Sequence, residues 1–188
     1  MNGMQRPSRP LPAARDYRVA TPGRLPLLTL WLPLLCVAGA IVAVILADSG
    51  PAHGAHWIGP CVLAATGAVM HVLYLRRGIR LQDTALRVRS TMFNARTEIA
   101  SIDLAHARVV DLAEHTELAP GRKSFGYGLP GFKSGHFRMR NGQRAFCLLT
   151  DASRVLALPL RDGRWLLLSP EQPRQLLQDL QRLAARNA

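Results

Sequence analysis

Histidine, cysteine, serine and the carboxylates are the residues of this 188-residue chain able to do covalent or metal chemistry, and their spacing assembles no familiar reaction. The six histidines, His53, His56, His71, His106, His115 and His136, make no HExxH or other metal-ligand spacing. Cys36 and Cys61 lie in apolar blocks and Cys147 in a candidate strand, with no CxxC pattern that would hold zinc or frame a disulfide. Ser124 and Ser134 have no nucleophile-elbow pattern and no adjacent base. His115 stands between Glu114 and Glu117, company that an exposed loop explains. Walker-type and dinucleotide-binding fingerprints are missing as well. The sequence therefore reads as a non-enzyme: no catalytic, cofactor-binding or metal residue is assigned, and no cofactor is expected.

Binding residues are more plentiful. The net charge is +12, and among the basic residues only Lys123 and Lys133 are lysines. The 118–135 stretch, LAPGRKSFGYGLPGFKSG, concentrates glycine, aromatic and basic residues. A loop of that length inside a small domain is a candidate for function. Arg122, Lys123, Phe125, Tyr127, Phe132 and Lys133 make it a candidate interaction loop, joining aromatic anchors to charge. The plainer alternative is that its three aromatics fold back to cover the domain. Nucleic acid is not an expected partner, because the basic residues are scattered and not gathered in one stripe.

Two apolar stretches must position everything else. Residues 25–47 and 56–75 contain no Asp, Glu, Lys or Arg. At about 1.5 Å per residue each approaches the ~30 Å hydrocarbon core of a bilayer. Trp57 and Tyr74 stand near the ends of the second, as interfacial anchors do. The turn-rich 48–55 connector makes a helical hairpin of the pair. A cleavable signal peptide is the rival for the first stretch, but its apolar run continues past the small residues Ala38-Gly39-Ala40. Arg6, Arg9, Arg15, Arg18 and Arg24 precede the hairpin and Arg76, Arg77 and Arg80 follow it, whereas the connector has no basic residue. The positive-inside bias puts both termini in the cytoplasm. Gly39 with Ala43 and Ala64 with Ala68 offer small-residue faces for close helix contact. Pro33 is a candidate kink, and His71 is a candidate ionisable group within the membrane. Residues 1–24 read as a disordered basic tail.

Residues 79–185 form the soluble domain. ALRVRS at 85–90 alternates as a half-buried strand does, and 96–104 and 108–112 offer two more strands. Runs at 136–140, 144–150, 154–160 and 165–168 read as an antiparallel meander. Asn141-Gly142 and Asp162-Gly163 turn two of its hairpins, and 151–153 joins the middle pair. Ser169 is placed to cap a final helix, with Pro170 in its first position and Gln172 completing the capping box. Leu176, Leu177, Leu180 and Leu183 then share one face that must be buried.

Three stretches in this order, behind a membrane hairpin, resemble the bacterial pleckstrin-homology (PH)-like membrane proteins. They are the 96–104 segment, the glycine-rich GYGLPGFKSGHF of residues 126–137, and the WLLLSPE of residues 165–171 that opens the last helix. The resemblance implies an α+β chain: a two-helix transmembrane hairpin, then a small antiparallel β-barrel or sandwich of seven strands closed by a C-terminal amphipathic helix. It also implies a non-enzymatic role in protein contacts or oligomerisation, at a bacterial inner membrane. Eukaryotic relatives of the fold bind inositol phosphates through basic residues of the first hairpin, which makes Arg80, Arg87 and Arg89 candidate headgroup contacts here. Alternation puts Arg87 and Arg89 on one outward face, opposite Leu86 and Val88; a merely solvated or lipid-facing strand is the plainer reading. The expected function is a membrane-anchored interaction module facing the cytoplasm, with a protein partner or second copy bound, and anionic lipid as a further partner. The alternative is a small oligomeric two-span channel or transport accessory.

Overall fold

The structure, a computed structural model, describes residues 14–47 and 58–187. Arg6, Arg9, the 48–55 connector, His53, His56 and Trp57 lie outside the described residues. The first described element corrects the expectation of disorder at residues 14–17, for Ala14–Tyr17 form a strand, β1, while residues 1–13 of the expected tail lie outside the described residues. ARDY has no periodicity of its own to announce this. It becomes a strand because a partner some 60 residues later offers an open edge, pairing Ala14 with Gln82 and Tyr17 with Ile79.

Two helices follow, α1 (Leu25–Ala47) and α2 (Ile58–Leu75), both long and apolar enough to cross a membrane. Leu28, Leu32, Leu35, Val44, Val62 and Val69 are each more than half exposed, so protein does not cover these helices. Helices apolar all round and left uncovered by protein have the composition of candidate membrane spans. They meet at Gly67, where an added Cβ would lie 3.3 Å from Leu34 and 3.4 Å from Trp31. The small-residue faces expected from Gly39, Ala43, Ala64 and Ala68 are not the contact: Gly39 has open space around it, and the three alanines are exposed. Bulky Trp31 fills the gap over one glycine instead.

Only Arg76 separates α2 from β2 (Arg77–Gln82), which pairs antiparallel with both β1 and β3 (Ala85–Ser90). With β4 (Phe93–Glu98) this gives a four-stranded sheet ordered β1-β2-β3-β4. The strand expected over 96–104 therefore ends early, and a 3₁₀ turn, Ile99–Ser101, buries Ile99 instead. A second sheet holds β5 (Arg108–Val110), β6 (Pro120–Leu129), β7 (Phe132–Met139), β8 (Arg144–Leu149), β9 (Val155–Pro159) and β10 (Trp165–Leu168). Its order is β5-β9-β10-β8-β7-β6.

That order corrects two expectations. The 118–135 stretch is no loop, since most of it forms the β6–β7 hairpin. The meander also fails at its middle: β8 and β9 do not pair, and β10 lies between them, parallel to β8 and antiparallel to β9. The turn at Asp151 connects those two strands. Ser153 donates its N–H and its hydroxyl to the Asp151 carboxylate, and the Ser169 hydroxyl donates to the Asp151 carbonyl at 2.7 Å. Ser169 is thereby buried and engaged, and does not cap the last helix. That helix, α3, runs Pro173–Asn187, with Pro170 bridged to Val19 instead.

Strands reading AFCLL, VLALP and WLLL are apolar almost throughout because both faces of the second sheet are covered. One face, with Phe146, Leu148, Leu156, Leu158, Leu166 and Leu168, meets Ile79, Leu81, Leu86 and Val88 of the first sheet and Leu176, Leu180 and Leu183 of α3. Each leucine so buried contributes on the order of 2 kcal/mol. The other face, with Cys147, Leu149, Val155, Ala157 and Leu167, lies under Val110, Leu112 and Leu118. The result is a PH-like open sandwich closed by a C-terminal helix. Among the described residues it has ten strands where the resemblance implies seven, and no closed barrel.

Candidate functional site

Alternation along β2, β3 and β4 sends most apolar side chains inward and Arg80, Arg87, Arg89 and Arg96 outward. The register sets Arg80, Arg87 and Arg96 directly opposite one another across three strands, with Asp16 of β1 opposite Arg80. Arg80 donates to both Asp16 oxygens, at 2.6 and 3.0 Å. That guanidinium holds the exposed Asp16 carboxyl below its ordinary range. Arg87, Arg89 and Arg96 are exposed and have no carboxylate partner among the described residues. Of the sequence candidates, Arg80 and Arg87 come together, whereas Arg89 lies in the next row, opposite Gly78 and Asn94. Arg96 was missed, although the alternation of Asn94 and Arg96 in FNARTE signals its outward direction.

The β6–β7 hairpin divides the six loop candidates. Phe132 is 1% exposed and packs edge-on against Tyr74, ring centroids 5.1 Å apart. Tyr127 is half-buried beside Phe132. Lys133 donates to the Pro120 carbonyl at 2.9 Å. These three serve the fold. Arg122, Lys123 and Phe125 stay outside, with Phe125 69% exposed and held edge-on by Phe93. Register shifts at Pro120/Arg122 and Lys123/Phe125 bend β6 there and turn these side chains outward. Beyond the bend Gly126 faces Gly135, and an added Cβ on Gly126 would lie 2.6 Å from the Ser134 carbonyl oxygen. Only glycine allows that approach, and Gly135 also takes φ +112.

A third place was not found from the sequence. Arg77 shares the inward face of β2 with Ile79 and Leu81, and its guanidinium lies 4.7 Å from the ring centroid of Tyr74. Tyr74 is 2% exposed on the last turn of α2. Opposite Arg77 stands Ser90, whose hydroxyl bonds that of Ser134 at 2.6 Å; Thr91 bonds the same oxygen at 2.5 Å. Ser134 in turn pairs with Tyr127 across the hairpin. The Tyr74 hydroxyl, the Tyr127 hydroxyl and Arg77 Nη1 are buried without a hydrogen-bond partner among the described residues. Each such group costs about 1–3 kcal/mol. Burial, then the neighbouring Tyr74, pushes the Tyr127 phenol up. Tyr74 was legible only as an interfacial anchor.

The residues first considered for chemistry are dispersed. His115 lies 3.8 Å from Glu117 and His106 2.7 Å from Asp103, all of them at least partly exposed. Among the described residues no three His, Cys, Asp or Glu side chains group so as to hold a metal. Ser134 bonds only other hydroxyls. Burial pushes the Cys147 thiol well up, away from the reactive thiolate. His71 accepts a hydrogen bond from Trp31 Nε1 at 3.4 Å, joining the two helices.

The strands and the covering helix agree with a comparison against known families, in which the model described as bacterial PH domain matches residues 77–184. The chain belongs to the bacterial PH domain family. In this bacterial PH domain chain the match begins at Arg77, directly after the apolar helices, and ends within α3. β1, which completes the first sheet, lies ahead of the matched region. No curated protein and no solved structure matches the chain.

Proposed function

We propose that this chain is a membrane-anchored, non-enzymatic interaction module of the bacterial inner membrane, with both termini and the PH domain in the cytoplasm, and that the bent β6 edge binds a protein partner or a second copy. The observation that carries this reading is Phe125. It is a large aromatic, 69% exposed, flanked by exposed Arg122 and Lys123 and held in place by Phe93. Aromatics with arginine are the side chains that interfaces favour. β6 is an edge strand, but its two bulges and its basic residues discourage simple strand addition. The contact is therefore made through side chains. Crosslinking of the full chain in native membranes tests this: a discrete crosslinked species should form and should weaken at least tenfold in Phe125→Ala. Monomer alone in both proteins would refute it.

A second reading has its own support in the Arg80, Arg87 and Arg96 row. These side chains stand on the sheet that α2 runs into, close to where an anionic leaflet would lie; Arg87 and Arg96 are each worth about 1 kcal/mol there, while Asp16 offsets the charge of Arg80. The oligomeric channel is less well supported. Thr29 and Thr66 turn their hydroxyls back onto the carbonyls of Leu25 and Val62 and line no polar path.

A further inference from the structure

An open cleft of about 1050 Å³ lies over the outward face of β2, β3 and β4 and is lined largely by arginine. Arg18, Arg76, Arg80, Arg87, Arg89 and Arg96 are exposed along it, and among the described residues Asp16 is its only acidic lining residue. Asp16 is taken by Arg80; the other five arginines have no carboxylate partner among the described residues. Residues 1–13 could not supply one, since they contain no Asp or Glu. Like charges gathered in one recess raise its potential and favour an anionic partner.

The cleft has shape as well as charge. Gly78 lies two residues before Arg80 on β2 and opposite Arg89 on β3, and a Cβ added there would meet nothing within 4 Å. The missing side chain leaves an open notch between arginines. The Arg80–Asp16 pair, at 2.6 and 3.0 Å, shows what this face accepts: a carboxylate carried by extended chain. Arg87 and Arg89 repeat the donor two residues apart, about 7 Å along β3, the spacing at which an extended peptide places alternate side chains. Tyr17, the only aromatic lining residue among those described, is 8% exposed and bonded to Asp179. No ring is therefore free to stack on a base, and nucleic acid fits poorly. A leaflet would meet these arginines as surface charge and would not use the notch. We infer that the Gly78 cleft binds an extended acidic segment of a protein partner, its carboxylates seated on Arg87, Arg89 and Arg96. This gives the arginine row to protein and not to the leaflet, and it rests neither on Phe125 nor on α1 and α2 spanning a bilayer.

The test titrates the full chain, in a nonionic detergent, against a fluorescein-labelled peptide of alternating glutamate and threonine, read by fluorescence anisotropy. Binding should be saturable, and the same peptide with glutamine in place of glutamate should not bind. Gly78→Val keeps every arginine and suits a strand. Its unfolding temperature should match the wild type, while its affinity for the peptide should fall roughly tenfold or more. Arg87→Gln/Arg89→Gln should lose at least as much, and it carries the test if the valine variant does not fold. Absence of saturable binding overturns the proposal. So does unchanged affinity in either folded variant, the result expected where the arginines act only as diffuse charge. Phosphatidylglycerol added to the micelles should leave the peptide bound; its displacement would return the row to the leaflet and overturn the protein assignment.

Discussion

Asp179, 1% exposed on the C-terminal helix, accepts the hydroxyl of Tyr17 from the strand that precedes the first apolar helix. Arg15 of the same strand adds an ion pair to that carboxylate at 2.7 Å. β1 also joins β2, and backbone bonds from Ala20 to Ser169 and from Glu171 to Arg18 continue the seam. Both ends of the helical hairpin are thereby fastened to one domain. Asp179→Ala strips a buried acceptor from Tyr17 and should cost about 2 kcal/mol. Thermal unfolding of the full chain in detergent should fall by roughly 10 °C. Arg15→Ala should cost much less, since Arg15 is partly exposed and its pair is screened.

Two phenylalanines seven residues apart should behave oppositely. Phe132→Ala opens a cavity beside Tyr74 and should destabilise the domain by about 3–5 kcal/mol in denaturant unfolding. Phe125→Ala gives up an edge contact with Phe93 and little else, so its stability should stay within ~0.5 kcal/mol of wild type. A large stability loss at Phe125 would count against its being a binding residue.

Glycine substitutions separate close approach from open space. A Cβ on Gly135 would lie 2.7 Å from both the Gly126 Cα and the Phe125 carbonyl oxygen, at φ +112. Gly135→Ala should cost more than about 2 kcal/mol, because backbone must move on both strands. Gly39→Ala in α1 meets nothing within 4 Å and should leave stability unchanged.

Acid should loosen the turn that connects β8 to β9. The Ser153 N–H and hydroxyl hold the Asp151 carboxyl below its ordinary value of 3.8. Its folded pKa lies below its unfolded one, so the contribution is complete above the unfolded pKa and is lost as pH falls through the folded pKa. Unfolding free energy measured from about pH 6 to about pH 2 should drop less steeply in Asp151→Asn than in the wild type. The exposed Asp16–Arg80 pair has the same sign of shift, but its share should vanish in about 1 M salt.

Much of this architecture is legible residue by residue. Uninterrupted apolar runs mark α1 and α2, and Asn141-Gly142 and Asp162-Gly163 mark two tight turns where Gly142 and Gly163 take φ 86 and 81. The spacing of Leu176, Leu180 and Leu183 marks the buried face of α3. Of the candidate sites, the outward arginines follow from strand alternation. The exposure of Phe125 against the burial of Phe132 does not, because both lie in one glycine-rich run whose bulges arise from pairing with β7.

The local chain, then, decided which segments are helix or strand and which side of each is apolar, since periodicity and turn residues act over a few positions. Tertiary structure decided that ARDY is a strand, that β10 slips between β8 and β9, and that Tyr74 meets Arg77 on one side and Phe132 on another. Each of these depends on an edge left open, or on a gap between surfaces. Such features exist only once distant parts of the chain have packed.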